Sequence, residues 1–367
     1  MKRKFLSAVL ILALLLSGCS WAGRNYVSVT PHREENTSLQ SDFLTAAKYS
    51  ELQAVLSELV ENGTENAVIY VPDYPQDLIE SHTELAIRHI TEVLPLGAYA
   101  IDSVEYDLGT SVGLQAISIT ITYLHGRSEL KQIRQASDMD SCKALIQKAL
   151  ADFTDSLVIY VESYSETDLI QLVADYNAEN PDIVMELPQL NIGIYPEHGK
   201  SRVLELRFTY QTSRDTLRTM QTQVKRIFAS AALYINQNDA PGQKYSQLYT
   251  FLTERFDYKY ETSITPSYSL LSHGVGDAKA FATVYAAMCR SADLDCRVIS
   301  GTRNGEAWYW NLVELDGSFF HVDLLECQAT GGLRYQLDEQ MTGYVWDYSA
   351  HPAAVAALTA ETLPATE

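Results

Sequence analysis

Hydrophobic positions between residues 41 and 123 follow two periods, which together predict helices alternating with strands. Apolar residues at three- and four-residue spacing predict a helix with Ser41 as its N-cap and Gly63 just past its end. The apolar run at 68–71 predicts a buried strand, and a second helix is expected over 78–93. Two strands should follow, because apolar and polar side chains alternate strictly over 117–123.

The same order of elements recurs further along the chain. Its members are a helix capped by Ser141, a strand at 158–161, a helix at 168–176 and an alternating strand at 204–210. Two copies of an α-β-α-β-β unit, about 41–135 and 138–235, therefore predict an α+β region with mainly antiparallel sheets, each covered by helices on one face. Neither copy groups a cysteine, a histidine and an acid at catalytic spacing, so we interpret this half as a structural or binding platform.

The polar stretch 236–243 marks a predicted domain boundary, and a third domain is expected over 244–350. It begins with a short amphipathic helix and a tyrosine-rich loop. A Gly-rich turn at Gly274 then opens an apolar helix, which is followed by a strand at 296–300. The next two strands are separated by Asp316-Gly317, a dipeptide typical of tight hairpins. The Ala- and Thr-rich tail, 352–367, is expected to be disordered.

The N-terminus carries a targeting signal. Three basic residues precede an apolar run that is too short to span a bilayer comfortably, and the run ends in Leu16-Ser17-Gly18-Cys19. These four residues resemble the lipobox of bacterial lipoproteins, which implies removal of residues 1–18 and lipidation of Cys19. We therefore expect an extracytoplasmic protein held to the bacterial cell membrane by several acyl chains, with 19–40 as a polar tether. A plain secretory signal is the alternative.

Composition narrows the classes of partner and cofactor. The formal net charge of −20 repels phosphate backbones, so nucleic acid is not expected as a partner. An apolar fraction of 46% and 23 tyrosines indicate a folded protein. No CxxC or Cys/His metal spacing occurs, so we expect no zinc site and no cofactor. Four cysteines besides Cys19 leave every disulfide pairing open, namely Cys142, Cys289, Cys296 and Cys327.

Residues 245–325 resemble a transglutaminase-like domain, the papain-related fold shared by transglutaminases and many bacterial thiol hydrolases. Three segments carry the resemblance, namely the helix that leads into LDCRVISG at 294–301, the strand WYWNLVELDG at 308–317 and its partner SFFHVDLL at 318–325. The resemblance implies a catalytic triad with a cysteine at the start of the helix, a histidine on the next strand and an aspartate on the partner strand. In such a triad the imidazole activates the thiol and the acid orients the ring.

Carried over residue by residue, the resemblance assigns Ala278 to the nucleophile position, Trp308 to the histidine position and Asp323 to the acid position. A methyl group cannot attack a carbonyl, and an indole has no proton-accepting nitrogen. The sequence therefore predicts a catalytically degenerate domain that binds or scaffolds a peptide, a protein or a cell-wall polymer. The candidate cleft comprises Asp277, Trp308, Tyr309, His321 and Asp323, whereas Trp310 fits a core position at least as well.

Two other interpretations stay open. An enzyme of another mechanism would use Asp277, His273 or His321 together with Asp323, and those side chains would have to converge in an open cleft. Cys289 is not a substitute nucleophile, because helix geometry places it about three turns from Ala278. A purely structural subunit of the envelope would show no pocket.

Overall fold

The computed structural model describes residues 43–260 and 263–355. The predicted signal peptide, the lipidation site Cys19 and the tether lie outside the described residues, as do the last twelve positions of the predicted tail. Helices and strands are mixed throughout, which confirms the α+β class. Within the described ranges, no helix combines the length and the apolar character needed to cross a membrane.

The first unit is a four-stranded sheet with helices on one face. Its elements are β1 (Leu44–Thr45), α1 (Tyr49–Asn62), β2 (Asn66–Tyr70), α2 (Ile79–Glu92), α3 (Pro95–Ala100), β3 (Ile101–Ser111) and β4 (Leu114–Tyr123). The strand order is β1-β2-β4-β3, with β1 and β2 parallel and the other pairs antiparallel. The alternating residues Ile117, Ile119 and Ile121 are buried in one core with Leu52 and Leu56 of α1.

The second unit has the same strand order and the same pairing directions. It comprises α4 (Arg127–Leu130), β5 (Arg134–Asp138), α5 (Met139–Ala151), β6 (Ser156–Ser163), α6 (Leu169–Glu179), β7 (Gln189–Tyr195) and β8 (Arg202–Thr209). Its sheet order is β5-β6-β8-β7, again with one parallel pair at the edge. Each sheet therefore begins with an edge strand that the α-β-α-β-β pattern lacks. These strands escaped prediction because β1 has two residues and β5 is almost wholly polar.

Both predicted N-caps were wrong. Ser41 lies outside the described residues, and α1 begins at Tyr49 after Lys48. In the second unit Asp138 is the N-cap, and its carboxylate accepts from the backbone N–H of Ser141 at 2.8 Å. The Ser141 hydroxyl accepts in return from the Asp138 N–H, which completes a reciprocal capping box. The spacing of a capping box alone does not show which of its two polar residues begins the helix.

The third domain is built on one long helix and an antiparallel sheet. Its elements are α7 (Arg214–Tyr234), α8 (Pro241–Thr253), β9 (Asp257–Tyr258), α9 (Pro266–His273), β10 (Val275–Gly276), α10 (Ala278–Arg290), β11 (Cys296–Arg303), β12 (Glu306–Leu315), β13 (Ser318–Val322), α11 (Leu324–Thr330) and β14 (Tyr344–Trp346). The sheet order is β13-β12-β11-β14. Helix α10 is buried from Ala280 to Cys289 and shares a core with Val313 and Val322.

Helix α7 lies in a core that the second unit and the third domain share. Its residues Leu217, Val224 and Phe228 pack in one cluster with Phe153 and Met185 of the second unit and with Leu248 and Val284 of the third domain. Periodicity identifies the apolar face of a helix and says nothing about which neighbour covers it. The predicted disordered tail begins too early, because Ala354 is fully buried and exchanges two hydrogen bonds with Asp338.

The turn between β3 and β4 holds a β-branched residue in a strained conformation. Val112 has φ 52° and Gly113 has φ 80°, so both central residues lie in the left-handed region. Since asparagine tolerates that region and valine does not, Val112→Asn should raise the free energy of unfolding by about 1 kcal/mol, measured by urea denaturation. Val345→Asn, at an exposed position in β14, is the control and should not stabilise the protein. Equal effects at the two positions would show that the turn is unstrained.

Candidate active-site region

Asp323 is the centre of the candidate site. It follows β13 directly and caps α11, so its Oδ1 accepts from the backbone N–H groups of Leu325 at 3.0 Å and Glu326 at 3.1 Å. Its Oδ2 accepts from Trp308 Nε1 and from the Tyr344 hydroxyl, each at 2.7 Å. The residue is only 1% exposed. Both carboxylate oxygens are therefore committed to donors within the protein.

Arg303 supplies the positive charge that this buried carboxylate needs. One guanidinium nitrogen lies 3.8 Å from Asp323 Oδ2, and the other forms an ion pair with Glu326. The guanidinium also lies over two rings, 5.3 Å from the centroid of Trp308 and 5.4 Å from that of Tyr344. Burial and the charge of Asp323 raise the pKa of Tyr344 far above its usual range. The phenol therefore stays protonated and remains a donor.

Trp308 and Trp310 lie on one face of β12 but have different surroundings. The Trp308 ring is partly exposed and meets Tyr258 at a centroid distance of 5.8 Å. Trp310 is 1% exposed and donates from Nε1 to His321 Nδ1 at 2.9 Å. The core interpretation of Trp310 is therefore the correct one, and Trp308 is the tryptophan that reaches the surface.

Several contacts bring the start of α10 alongside this part of β12. Asn311 donates from Nδ2 to the carbonyl of Ala282 at 2.9 Å, and the Lys279 ammonium lies 5.4 Å from the Tyr309 ring. Strand β10 pairs with β9, which places Gly276 beside Tyr258. Ala278 is the first residue of α10 and is buried, while the Asp277 carboxylate caps the helix through the N–H of Ala280 at 2.8 Å. Asp277 thus has an ordinary structural role.

His321 does not belong to the candidate cleft, which corrects the sequence-based assignment. Its Nδ1 accepts from Trp310 and its Nε2 hydrogen-bonds to Asp338 Oδ1 at 2.8 Å, so both ring nitrogens are occupied in the core. The assignment assumed a regular strand through Asp323, whereas β13 ends at Val322 and Asp323 begins a helix. His273 is exposed at the end of α9 and contacts the ring of Tyr268. Among the described residues, no hydrogen bond joins any two of Asp277, His273, His321 and Asp323.

The buried histidine predicts a pH dependence of stability. Burial lowers the pKa of His321 below its ordinary value of 6.5, and the bond to Asp338 opposes that shift only in part. Below about pH 6.5 the unfolded chain binds a proton that the folded chain resists, so stability is present above that pH and is lost as the pH falls. In urea denaturation between about pH 7 and pH 5, His321→Gln should flatten this slope. The exposed control His273→Gln should keep it, and equal slopes in both variants would contradict the assignment.

The four cysteines of the described residues are free and buried. Burial raises the pKa of Cys142 and of Cys327 to about 11, and that of Cys289 well above its ordinary value. Thiols of this kind are poor nucleophiles. Within 43–260 and 263–355, no group of three or more His, Cys, Asp or Glu side chains is placed to hold a metal ion.

Arg303, Tyr344 and Tyr258 belong to the site, although sequence reasoning did not select them. Tyr344 lies on β14, which pairs with β11 on the side away from β12. This pairing sets Tyr344 opposite Arg303. Tyr258 arrives through the two-residue pairing of β9 with β10. The segment around Tyr344 carried one signal, its dense aromatic composition, which indicated packing against the domain without identifying the partner.

A separate cavity of about 990 Å³ lies between the first two units. Tyr99 and His125 of the first unit and Glu205 and Arg207 of the second contribute to its walls, and none of the candidate cleft residues does. The rings of Tyr99 and His125 are stacked at 4.2 Å. This cavity and the candidate site are therefore separate places on the molecule.

Comparison with known proteins supports the transglutaminase-like fold of the third domain. A family model described as the transglutaminase-like superfamily matches residues 229–324. No curated protein matches the chain. Structures that match include "a TGase" (TM-score 0.26, 9% identity, covering 56% of this chain and 60% of that one) and "a Putative Cysteine Protease" from Cytophaga hutchinsonii (TM-score 0.25, 12% identity, 40% and 65%). A third is "a putative protease" from Parabacteroides distasonis (TM-score 0.23, 10% identity, 70% and 39%).

The chain thus spans less than two thirds of each of these three structures. The family model covers the end of α7, the whole of α10 and the strands that carry Trp308 and His321, and it ends one residue past Asp323. Residues 229–324 are therefore a transglutaminase-like domain, as the resemblance in the sequence predicted.

Proposed function

We propose that the transglutaminase-like domain binds a peptide or a cell-envelope polymer without catalysing a reaction, in a lipoprotein anchored through Cys19 on the extracytoplasmic side of the cell membrane. One observation carries the proposal. The Trp308 indole donates to Asp323 at 2.7 Å, so the acid orients a ring that cannot accept a proton. The other two positions of the proposed triad hold Ala278 and an aspartate whose oxygens are fully engaged.

The remaining groups do not replace the missing chemistry. The thiols within the described ranges are buried, and Asp277 is engaged as a helix cap. A hydrolase built on Asp277, His273, His321 and Asp323 would need these groups within hydrogen-bond reach of one another, and they are not. Binding is the function that the present residues support.

The surface around Trp308 suits a flat or aliphatic ligand group. Tyr258 is 40% exposed and lies against Trp308, and Tyr309 stands beside the exposed Lys279. Because Asp323 fixes the indole and Arg303 stacks on its ring, little side-chain entropy remains to be lost on binding. Rigid aromatic rings flanked by charges bind sugar faces, peptide side chains and cationic groups.

Purified cell-wall sacculi provide the first binding test, with the unlipidated chain starting at Ser20. Tyr258→Ala should weaken retention on sacculi roughly 5- to 10-fold in a sedimentation titration, because one exposed aromatic contact is lost. The matched control is Tyr348→Ala, which removes a tyrosine of 60% exposure that packs on Trp346 and not on Trp308. Retention that ignores both Tyr258→Ala and Trp308→Ala would remove this surface from the proposal.

An activity assay tests the absence of catalysis independently. The unlipidated chain should neither hydrolyse nor transfer glutamine side-chain amides in the presence of a primary amine and a reducing agent. Thiol-dependent turnover that disappears in Asp323→Ala would refute the proposal, whatever the result with sacculi.

A further inference from the structure

The tip of the β3–β4 hairpin is apolar and carries no charge. No charged residue occurs from Leu108 to Leu124, although the chain as a whole has a net charge of −20. Leu108 is 41% exposed, Val112 85% and Leu114 47%. Three large apolar side chains are thus presented together at the end of a long hairpin.

The hairpin register gives this tip the shape of a wedge. Leu108 pairs with Ile117 and therefore lies on the face that the helices cover further along the sheet. Leu114 pairs with Ser111, and the neighbouring Gln115 shares the face of Ile117. Because successive residues of a strand point to opposite faces, Leu114 lies on the face opposite to Leu108. Val112 occupies the apex between them. An object of this shape exposes apolar surface on both sides and at its point.

The apex residue of the hairpin, Val112, has a strained backbone conformation. Val112 adopts a positive φ that asparagine or glycine would adopt with less strain. Strain at an exposed position with few packing contacts is a reason to look for a role outside the fold. The strained residue at the apex carries an apolar side chain.

The first described residue lies close to the hairpin through its contact with Tyr70. Phe43, the first described residue, is 56% exposed and its ring lies 5.0 Å from that of Tyr70. The Tyr70 hydroxyl is in turn 3.3 Å from Ser111 Oγ, the residue before Val112. Phe43 is therefore linked through Tyr70 to the residue next to the hairpin apex.

We propose that the tip formed by Leu108, Val112 and Leu114, together with Phe43, inserts into the surface of the lipid bilayer. This contact rests on the proposed anchoring through Cys19, which keeps the bilayer at high local concentration and lets a weak second contact operate. An uncharged tip also avoids the repulsion that the acidic remainder of the chain would meet at anionic lipid. The contact holds the first unit against the membrane.

Fluorescence quenching by lipid tests the contact without native lipidation. The chain starting at Ser20 carries an N-terminal hexahistidine tag and binds vesicles of phosphatidylcholine with a small share of nickel-chelating lipid. An environment-sensitive dye is attached at Thr110→Cys, and the native cysteines of the described residues are buried and protected from labelling. A quencher on the lipid acyl chains should lower the emission of this dye roughly twofold or more, as expected for a group at the acyl boundary.

A dye at Leu233→Cys is the matched control, because Leu233 is 88% exposed on α7 in another part of the fold. Its emission should not change. The substitutions Val112→Asp and Leu114→Asp, made together in the Thr110→Cys chain, should abolish the quenching. A Thr110 dye that is quenched no more than the Leu233 dye overturns the proposal, and so does quenching that survives both aspartates.

The anchoring is tested separately in cells, by membrane fractionation of the full chain and of Cys19→Ser. A Cys19→Ser chain that still floats with membranes would contradict the lipid anchor. The quenching experiment uses a different attachment, so its result stands independently of that outcome.

Discussion

Replacing Asp323 by alanine is expected to lower the free energy of unfolding by about 3–5 kcal/mol, because it removes one partner from a buried, charged network. The carboxylate is 1% exposed and accepts four hydrogen bonds. Its loss leaves the Trp308 N–H, the Tyr344 hydroxyl and two backbone N–H groups of α11 without their acceptor. Arg303 also loses a counter-ion at 3.8 Å.

The measurement is urea denaturation followed by tryptophan fluorescence, which Trp308 reports from within the network. Asp323→Asn preserves the volume and should lower the free energy of unfolding by less, because the amide oxygen still accepts hydrogen bonds. Some loss should remain, because the NH₂ group faces other donors. Glu339→Ala removes an exposed acid whose side chain has no hydrogen bond to another described residue, and it should change stability by less than about 0.5 kcal/mol. A loss at Asp323 no larger than that at Glu339 would show that the network contributes nothing.

The hydrogen bonds of Asp323 give it a structural role that does not depend on catalysis. In a working triad the acid orients a histidine, and its replacement impairs turnover. Here the acid joins β12, β14 and α11 at one point, through Trp308, Tyr344 and the first turn of the helix. Asp323 therefore connects three elements of the domain through its hydrogen bonds.

The strands were predicted well where one face is buried and the other exposed. The alternations over 117–123 and 204–210 coincide with β4 and β8, and the tight turn at Asp316-Gly317 joins β12 to β13. Both turn residues have positive φ there, at 51° and 78°, as that dipeptide favours. These features depend on residues close in sequence, and local patterns report them faithfully.

The features that the sequence did not predict depend on pairings between distant segments of the chain. Strand β5 has only one buried residue, so it shows no apolar alternation, and its place beside β6 follows from the sheet. His321 was placed in the cleft because it lies two residues from Asp323, but the strand ends between them and the imidazole turns into the core. The positions of Ala278, Trp308 and Asp323 came from a family resemblance, whereas Arg303 and Tyr344 required the fold.

A cysteine and a histidine introduced at the positions that the family resemblance assigns to the triad should create a reactive thiol. In Ala278→Cys the new cysteine occupies the first position of α10, where the helix dipole favours a thiolate. Adding Trp308→His places an imidazole beside Asp323, which can accept from one ring N–H as it now accepts from the indole at 2.7 Å. The double variant should be alkylated by iodoacetamide at about pH 6 roughly 10- to 100-fold faster than Ala278→Cys alone, because the imidazolium lowers the pKa of the thiol.

Ala278→Cys with Trp308→Phe is the matched control, since it removes the indole without supplying a base, and its rate should stay near that of the single variant. The native cysteines of the described ranges are at most 2% exposed, and a chain starting at Ser20 lacks Cys19. Because Ala278 is itself only 5% exposed, the alkylation rate of the chain without substitutions is measured in parallel and subtracted. A rate that rises with histidine and not with phenylalanine would mean that the two positions face each other across an intact but emptied catalytic geometry. Equal rates in the two double variants would mean that Ala278 and Trp308 are not the positions from which the triad was lost, and the degenerate assignment would fall with them.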